Sequence, residues 1–175
     1  MKKVFGYLLV FGLFIGFLGL SLSCASDDVP EEPKSTITLE DVNALMKNQE
    51  ANALTNNGLT ADQLMEVTKL CIQTGELTGV SILEENTKLS FAVLESNLTI
   101  CKIPMIVKFS FSISKNGTLR LRVLEIREVS PDVNPFSVTV PSKEVDSQMN
   151  MINSTVLSHL DKIGTTIMNR SSDFS

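Results

Sequence analysis

Few side chains in this sequence could do chemistry. Its 175 residues include one histidine, His159, and three cysteines, Cys24, Cys71 and Cys101. No sequence pattern places a nucleophile beside His159, so we interpret it as a histidine at the rim of a helix. One histidine and three cysteines form no zinc pattern, and there is no glycine motif for phosphates or dinucleotides. The sequence therefore predicts a protein that is not an enzyme and that has no metal and no cofactor.

Cys71 and Cys101 have two interpretations. In an oxidising compartment they could form a disulfide. This bond would close a loop of about thirty residues and stabilise the fold by about 3–4 kcal/mol in the chain-entropy account. Alternatively, both cysteines are thiols that pack as small apolar residues. The sequence leaves both interpretations open because it does not show whether the two side chains meet the geometry of a disulfide.

The first 23 residues have the pattern of a secretory signal. Two lysines, Lys2 and Lys3, precede an apolar run from Val4 to Leu22, and small residues follow. This order is typical of a signal peptide, which we predict over residues 1–23. The run is also close to the roughly 20 residues that cross a bilayer, so an uncleaved transmembrane anchor is the alternative.

The segment after the apolar run indicates lipid attachment. Ser21-Leu22-Ser23-Cys24-Ala25 resembles a bacterial lipobox, in which the cysteine carries lipid and begins the mature chain. Residues 24–37 are acidic and contain two prolines, and they are too polar to offset their chain entropy, so we predict a disordered tether. Their acidic run resembles the surface-export signals of Bacteroidetes lipoproteins. The absence of Asp after Cys24 is similar to outer-membrane sorting in enterobacteria. The resemblance implies a cell-envelope protein held at the outer membrane by lipid on Cys24; an unmodified cysteine is the alternative.

The rest of the chain, residues 38–175, is predicted to be a single domain. About 140 residues are enough to bury most of the surface of one core. The net charge is −5 and no run of lysine or arginine follows the leader. Nucleic acid is therefore not an expected partner, because phosphate contacts would lack a source of positive charge.

Two short helices are predicted before a region of strands. Thr38 is a candidate N-cap for the first helix, which should end within residues 47–52. Thr60 and Gln63 form a second capping pattern, for a helix that ends before Gly75. Alternation of apolar and polar residues then predicts five strands, at Leu77–Leu83, Lys88–Glu95, Leu98–Lys102, Met105–Ser114 and Thr118–Val129.

The last two predicted strands form a hairpin around Asn116-Gly117, the strongest short hairpin signal. In the return strand the apolar positions shift by one residue at Val123-Leu124. Such a shift indicates a β-bulge or a strand covered on both faces, and it predicts a strongly curved sheet.

The C-terminal region predicts one long amphipathic helix. Its apolar residues recur every three or four positions from Val145 to Ile167, which is typical of a helix with one buried face. The predicted fold class is therefore α+β, with a curved antiparallel sheet packed against this helix and one or two short helices before it.

The order of these elements resembles a known family. Val42-Asn43-Ala44-Leu45, the strand with Ile103-Pro104-Met105, the Asn116-Gly117 hairpin and Val140-Pro141 before the long helix resemble YpmS-type proteins. These are small membrane-anchored bacterial proteins of unknown function. The order is also similar to tubular lipid-binding domains, in which a curved sheet wraps a long helix. The resemblance transfers no catalytic residues.

Two functions are consistent with this fold. The first is binding of a lipid or another apolar ligand along the seam between sheet and helix, where methionine and phenylalanine could adapt to a ligand. The alternative is a structural or partner-binding envelope lipoprotein in which the same residues pack the core. The residues predicted to line the seam are Phe91, Val107, Phe109, Phe111, Met149, Ile152, Val156 and Leu160.

Overall fold

A computed structural model describes residues 31–55, 58–86, 91–114 and 118–174. Residues Pro33–Ser175 form a compact unit. The predicted signal peptide, Cys24 and the Asn116-Gly117 turn lie outside the described residues.

The described residues form seven strands and three α-helices, and the predicted α+β class is confirmed. A five-stranded antiparallel sheet has the order β2-β6-β5-β4-β3, and β1 pairs with β7 in a second, two-stranded sheet. The strands are β1 (Lys34–Thr38), β2 (Glu50–Thr55), β3 (Val80–Asn86), β4 (Phe91–Ile100), β5 (Ile103–Ile113), β6 (Thr118–Glu128) and β7 (Ser137–Pro141). The helices are α1 (Leu39–Met46), α2 (Ala61–Gln73) and α3 (Val145–Ser171), with short 3₁₀ turns at Ser142–Glu144 and Ser172–Phe174.

The helices begin where the sequence predicts. The Thr38 side chain accepts a hydrogen bond from the Asp41 N–H, and the Asp41 carboxylate accepts one from the Thr38 N–H. Thr60 and Gln63 make the same reciprocal pair at the start of α2. Each pair satisfies two backbone donors that would otherwise lack partners at the end of a helix.

A bulge lies at the predicted position in β6. Lys108 pairs with Glu125 and Phe109 pairs with Val123, so Leu124 is an extra residue opposite β5. Its side chain is 45% exposed, whereas Val123 is buried. The parity shift is therefore explained by a bulge, which increases the local twist of the sheet.

Some strand boundaries differ from the prediction. The sequence predicts two strands divided after Glu95, but β4 continues without interruption to Ile100. Ser96 and Asn97 do not end the strand because both pair in register with β5, opposite Val107 and Ile106. Residues 88–90, where the first of these strands was predicted to begin, lie outside the described residues.

The predicted tether is too long. It was expected to be disordered to residue 37, but Lys34–Thr38 form β1, whose Ile37 is 2% exposed. Every residue of β1 pairs with a residue of β7, which ends at Pro141. The prediction is wrong here because each strand is only five residues long and is stabilised by pairing with a distant segment of the chain. Strand β2, beside β6, was missed for the same reason.

Candidate functional site

Most of the predicted seam is a packed core. Six of its eight residues are no more than 1% exposed and belong to one buried cluster. Helix α3 lies against β2, β4 and β6 at this cluster. Side chains packed this closely contact one another on all sides and leave no surface for a ligand. The six residues are Val107, Phe109, Phe111, Ile152, Val156 and Leu160.

Phe91 and Met149 do not belong to this packed seam. Phe91 pairs with Ser112 while its neighbour Ala92 pairs with Phe111, so Phe91 lies on the opposite face of the sheet from Phe111. The opening beside Phe91 and Phe111 measures about 10 Å³, which is room for one water at most. The prediction that Phe91 lines the seam is therefore wrong, because the alternation along β4 turns it outward. Met149 is half-buried and lines a different, open surface.

His159 has a partner that the sequence did not predict. The Ser96 Oγ lies 2.7 Å from the His159 Nε2, although the two residues are 63 positions apart. Burial lowers the pKa of His159, and the nearby positive charge of Lys162 lowers it further. Sequence reasoning missed the contact because only the register of β4 and the packing of α3 bring these residues together.

A serine beside a histidine is the geometry of an activated nucleophile, but access is lacking. Ser96 is 0% exposed, so a substrate could not reach its hydroxyl. In the described part of the chain, no carboxylate is hydrogen-bonded to His159 to orient its ring. The contact therefore gives the buried Ser96 hydroxyl and the half-buried His159 ring a hydrogen-bond partner and stabilises the position of α3 on β4.

The two cysteines of the domain are free thiols. Cys71 is buried in α2 near Arg170, whose charge acts on it, and burial raises the pKa of this thiol. Cys101 lies in the β4–β5 turn, where its sulfur accepts a hydrogen bond from Gln148. Gln148 and Arg170 are at opposite ends of α3, a helix of 27 residues that is about 40 Å long. A disulfide is excluded, because it needs Cα atoms within about 7 Å.

Met149 lines an opening between β1, α1 and the first turns of α3. We call it the α1–α3 groove; its volume is about 550 Å³. Sequence analysis predicted Met149 as a lining residue but placed it in the seam. The groove is lined by Thr36, Ile37, Asp41, Leu45, Val145, Asp146, Met149 and Asn150.

A side-chain bridge holds one wall of this groove in place. The Asn43 Nδ2 donates to the Ile126 carbonyl at 2.8 Å, and the Ile126 N–H donates to the Asn43 Oδ1 at 2.7 Å. The amide thus pairs with the edge of β6 as a neighbouring strand would. It fixes α1 on the sheet just beyond the bulge.

The rim of the groove is negative. Asp41 on α1 and Asp146 on α3 are both exposed, and no lysine or arginine is among the described lining residues. Backbone and side-chain hydrogen bonds from Thr38 lower the pKa of Asp41, so this carboxylate stays charged at mildly acidic pH. Both Thr38 bonds go to Oδ2, which leaves the second oxygen of Asp41 for other contacts.

A second opening of about 440 Å³ lies along α2 and is lined by Leu59, Asp62, Gln63, Glu66, Val67 and Leu70. Its described lining residues are also a mixture of apolar and acidic side chains, with no lysine or arginine among them. One of those acids, Glu66, is already paired with Lys69 at 2.8 Å. The α1–α3 groove therefore presents the more available negative charge.

Within the described ranges, no group of histidine, cysteine and acidic residues could hold a metal ion. None of the helices that the structure describes is long and apolar enough to cross a membrane. No protein-family model matches this chain. A search of curated proteins also finds no match. The YpmS-type resemblance therefore stays a prediction, and the function has to be argued from the site.

Proposed function

We propose that this chain is an exported, lipid-anchored envelope protein whose folded domain binds a partner on its surface. Of the two functions consistent with the sequence, this is the one that the core favours. The observation that carries the proposal is the burial of Val107, Phe109, Ile152, Val156 and Leu160, each of which is 0% exposed. A lipid carrier keeps an apolar cavity for its ligand, and these side chains occupy the place where that cavity was expected.

A lipid anchor would limit the distance between the domain and the membrane. The linker from Cys24 to Lys34 spans at most about 35 Å when fully extended. A lipid on Cys24 would thus hold β1 within that distance of the bilayer. Replacing Cys24 with Ala should abolish metabolic labelling by fatty acid and release the protein from the membrane. Unchanged labelling and membrane retention would support the transmembrane anchor instead.

The absence of an internal lipid can be tested directly. We expect the unit Pro33–Ser175, purified from cells, to show only the protein mass in native mass spectrometry. Organic extraction should recover no lipid in stoichiometric amount, and a fluorescent fatty acid should not bind. One lipid per chain that survives purification would overturn the proposal in favour of an apolar carrier.

A further inference from the structure

We propose that the α1–α3 groove binds a basic, amphipathic segment of a partner protein. This inference rests on the proposed function and names the site and chemistry of the partner. It depends on the shape of the groove, the apolar residues on its floor and the charge of its rim.

The floor of the groove is apolar and partly open. Leu45, Val145 and Met149 are half-buried and pack against the core on one side, while Ile37 beneath them is 2% exposed. A volume of about 550 Å³ lies within the range of about 300–1,000 Å³ that is usual for ligand sites. This space suits a few apolar side chains from one face of a helix, the arrangement of helix-in-groove recognition.

The rim selects the charge of the partner. Asp146 has no ion-pair or hydrogen-bond partner among the described residues, so its charge is available to an incoming group. Asp41 faces the same opening from α1, and the Thr38 hydrogen bonds hold its carboxylate in place. Lysine or arginine beside the apolar anchors of a partner would satisfy both carboxylates.

The same rim argues against a lipid surface as the occupant. Bacterial envelope membranes carry anionic headgroups, which attract basic segments and repel acidic ones. A groove with two carboxylates and no base among its described lining residues is unsuited to such a surface. A protein segment with positive charge is the complementary occupant.

The probe is a short synthetic helix with leucine at helical spacing on one face and lysine on the other. A twin peptide carries glutamate in place of each lysine. Binding of each fluorescent peptide to the full-length chain in dodecyl maltoside is followed by anisotropy. The lysine peptide should bind saturably, and more weakly as salt rises, because its charges face an exposed rim. The glutamate peptide should not bind.

Two substitutions test the groove, and each has a control on the same helix. Met149→Trp fills the floor, whereas Met151→Trp adds the same ring at an outward position that is 49% exposed. Asp146→Lys reverses a rim charge, and Asp161→Lys reverses an exposed charge outside the groove. Each groove variant should weaken binding about tenfold or more, equivalent to about 1.4 kcal/mol, and each control should change it less than twofold. Equal melting temperatures would show that the variants are folded.

Three results would overturn the inference. They are no saturable binding of the lysine peptide, equal binding of both peptides, or equal effects of groove and control variants. Self-association that is lost only in Met149→Trp, without peptide binding, would assign the groove to a second copy. None of these results tests whether the core binds a lipid, so the inference can fail while the proposed function stands. A co-purifying lipid would remove the proposed function whatever the peptide does.

Discussion

The loss of stability when Phe111 is truncated distinguishes a packed core from a ligand site. The ring is 1% exposed and lies between Ala92 of β4 and Leu121 of β6. Truncation to Ala removes the buried ring and leaves a cavity that the surrounding strands cannot close. Such changes cost about 3–5 kcal/mol, a large part of the roughly 5–15 kcal/mol that stabilises a domain. With a denaturant slope of about 2 kcal/mol/M in urea, the unfolding midpoint should fall by about 1.5–2.5 M.

Urea denaturation of the wild type, Phe111→Ala and Phe91→Ala measures this cost. Phe91 is the matched control, since its ring is half-buried on the other face of the sheet and its truncation should cost clearly less. Phe111→Leu should lose less than half as much stability as Phe111→Ala, because leucine fills most of the space that the ring occupied. Added lipid should move none of the midpoints, whereas a ligand that binds only the folded state would raise them. A loss below about 1 kcal/mol for Phe111→Ala, or a midpoint that rises with lipid, would refute the packed core.

Four further substitutions test the fold and the effect of His159 protonation on stability. Asn43→Ala breaks two hydrogen bonds between α1 and the backbone of β6, and thermal melting should show a loss of about 1–3 kcal/mol. Leu160→Asp places a charge at a fully buried position and should unfold the domain, while Ser158→Asp, on the exposed side of α3, should leave the melting temperature nearly unchanged. Lys102 has a left-handed backbone conformation, φ 68°, which glycine adopts without steric cost, so Lys102→Gly should raise stability by about 1 kcal/mol. The lowered pKa of His159 means that the unfolded chain binds the proton more readily. Its contribution to stability is therefore complete above a pH of about 6.5 and is lost as the pH falls toward the folded pKa, and His159→Gln should flatten that part of the curve of unfolding free energy against pH.

Local signals explain why part of the fold could be predicted. The capping residues Thr38 and Thr60 act within one helical turn, so their patterns are complete in the sequence. The shift at Leu124 is visible because a strand of period two records an extra residue directly. Strands β1, β2 and β7 are short, and what stabilises them is pairing with distant segments, which the local sequence does not show. The same limit applies to the contact of Ser96 with His159, which depends on packing between β4 and α3.

The candidate site lies beyond prediction for a related reason. Asp41 and Asp146 belong to helices far apart in the sequence, and each has a local explanation as a negative charge in the first turn of a helix. They meet at one groove because β1 leads directly into α1 while its partner β7 is followed, after one 3₁₀ turn, by α3. Antiparallel pairing of β1 with β7 sets the start of α1 at one end of this ladder and the residues that lead into α3 at the other, and a carboxylate from the first turn of each helix lines the same opening. Both charges would be retained for helix stability alone, so binding has to be separated from folding. Asp146→Lys does this, since an exposed charge at a helix start affects stability by at most about 1 kcal/mol but would remove half of the negative rim that the proposed partner requires.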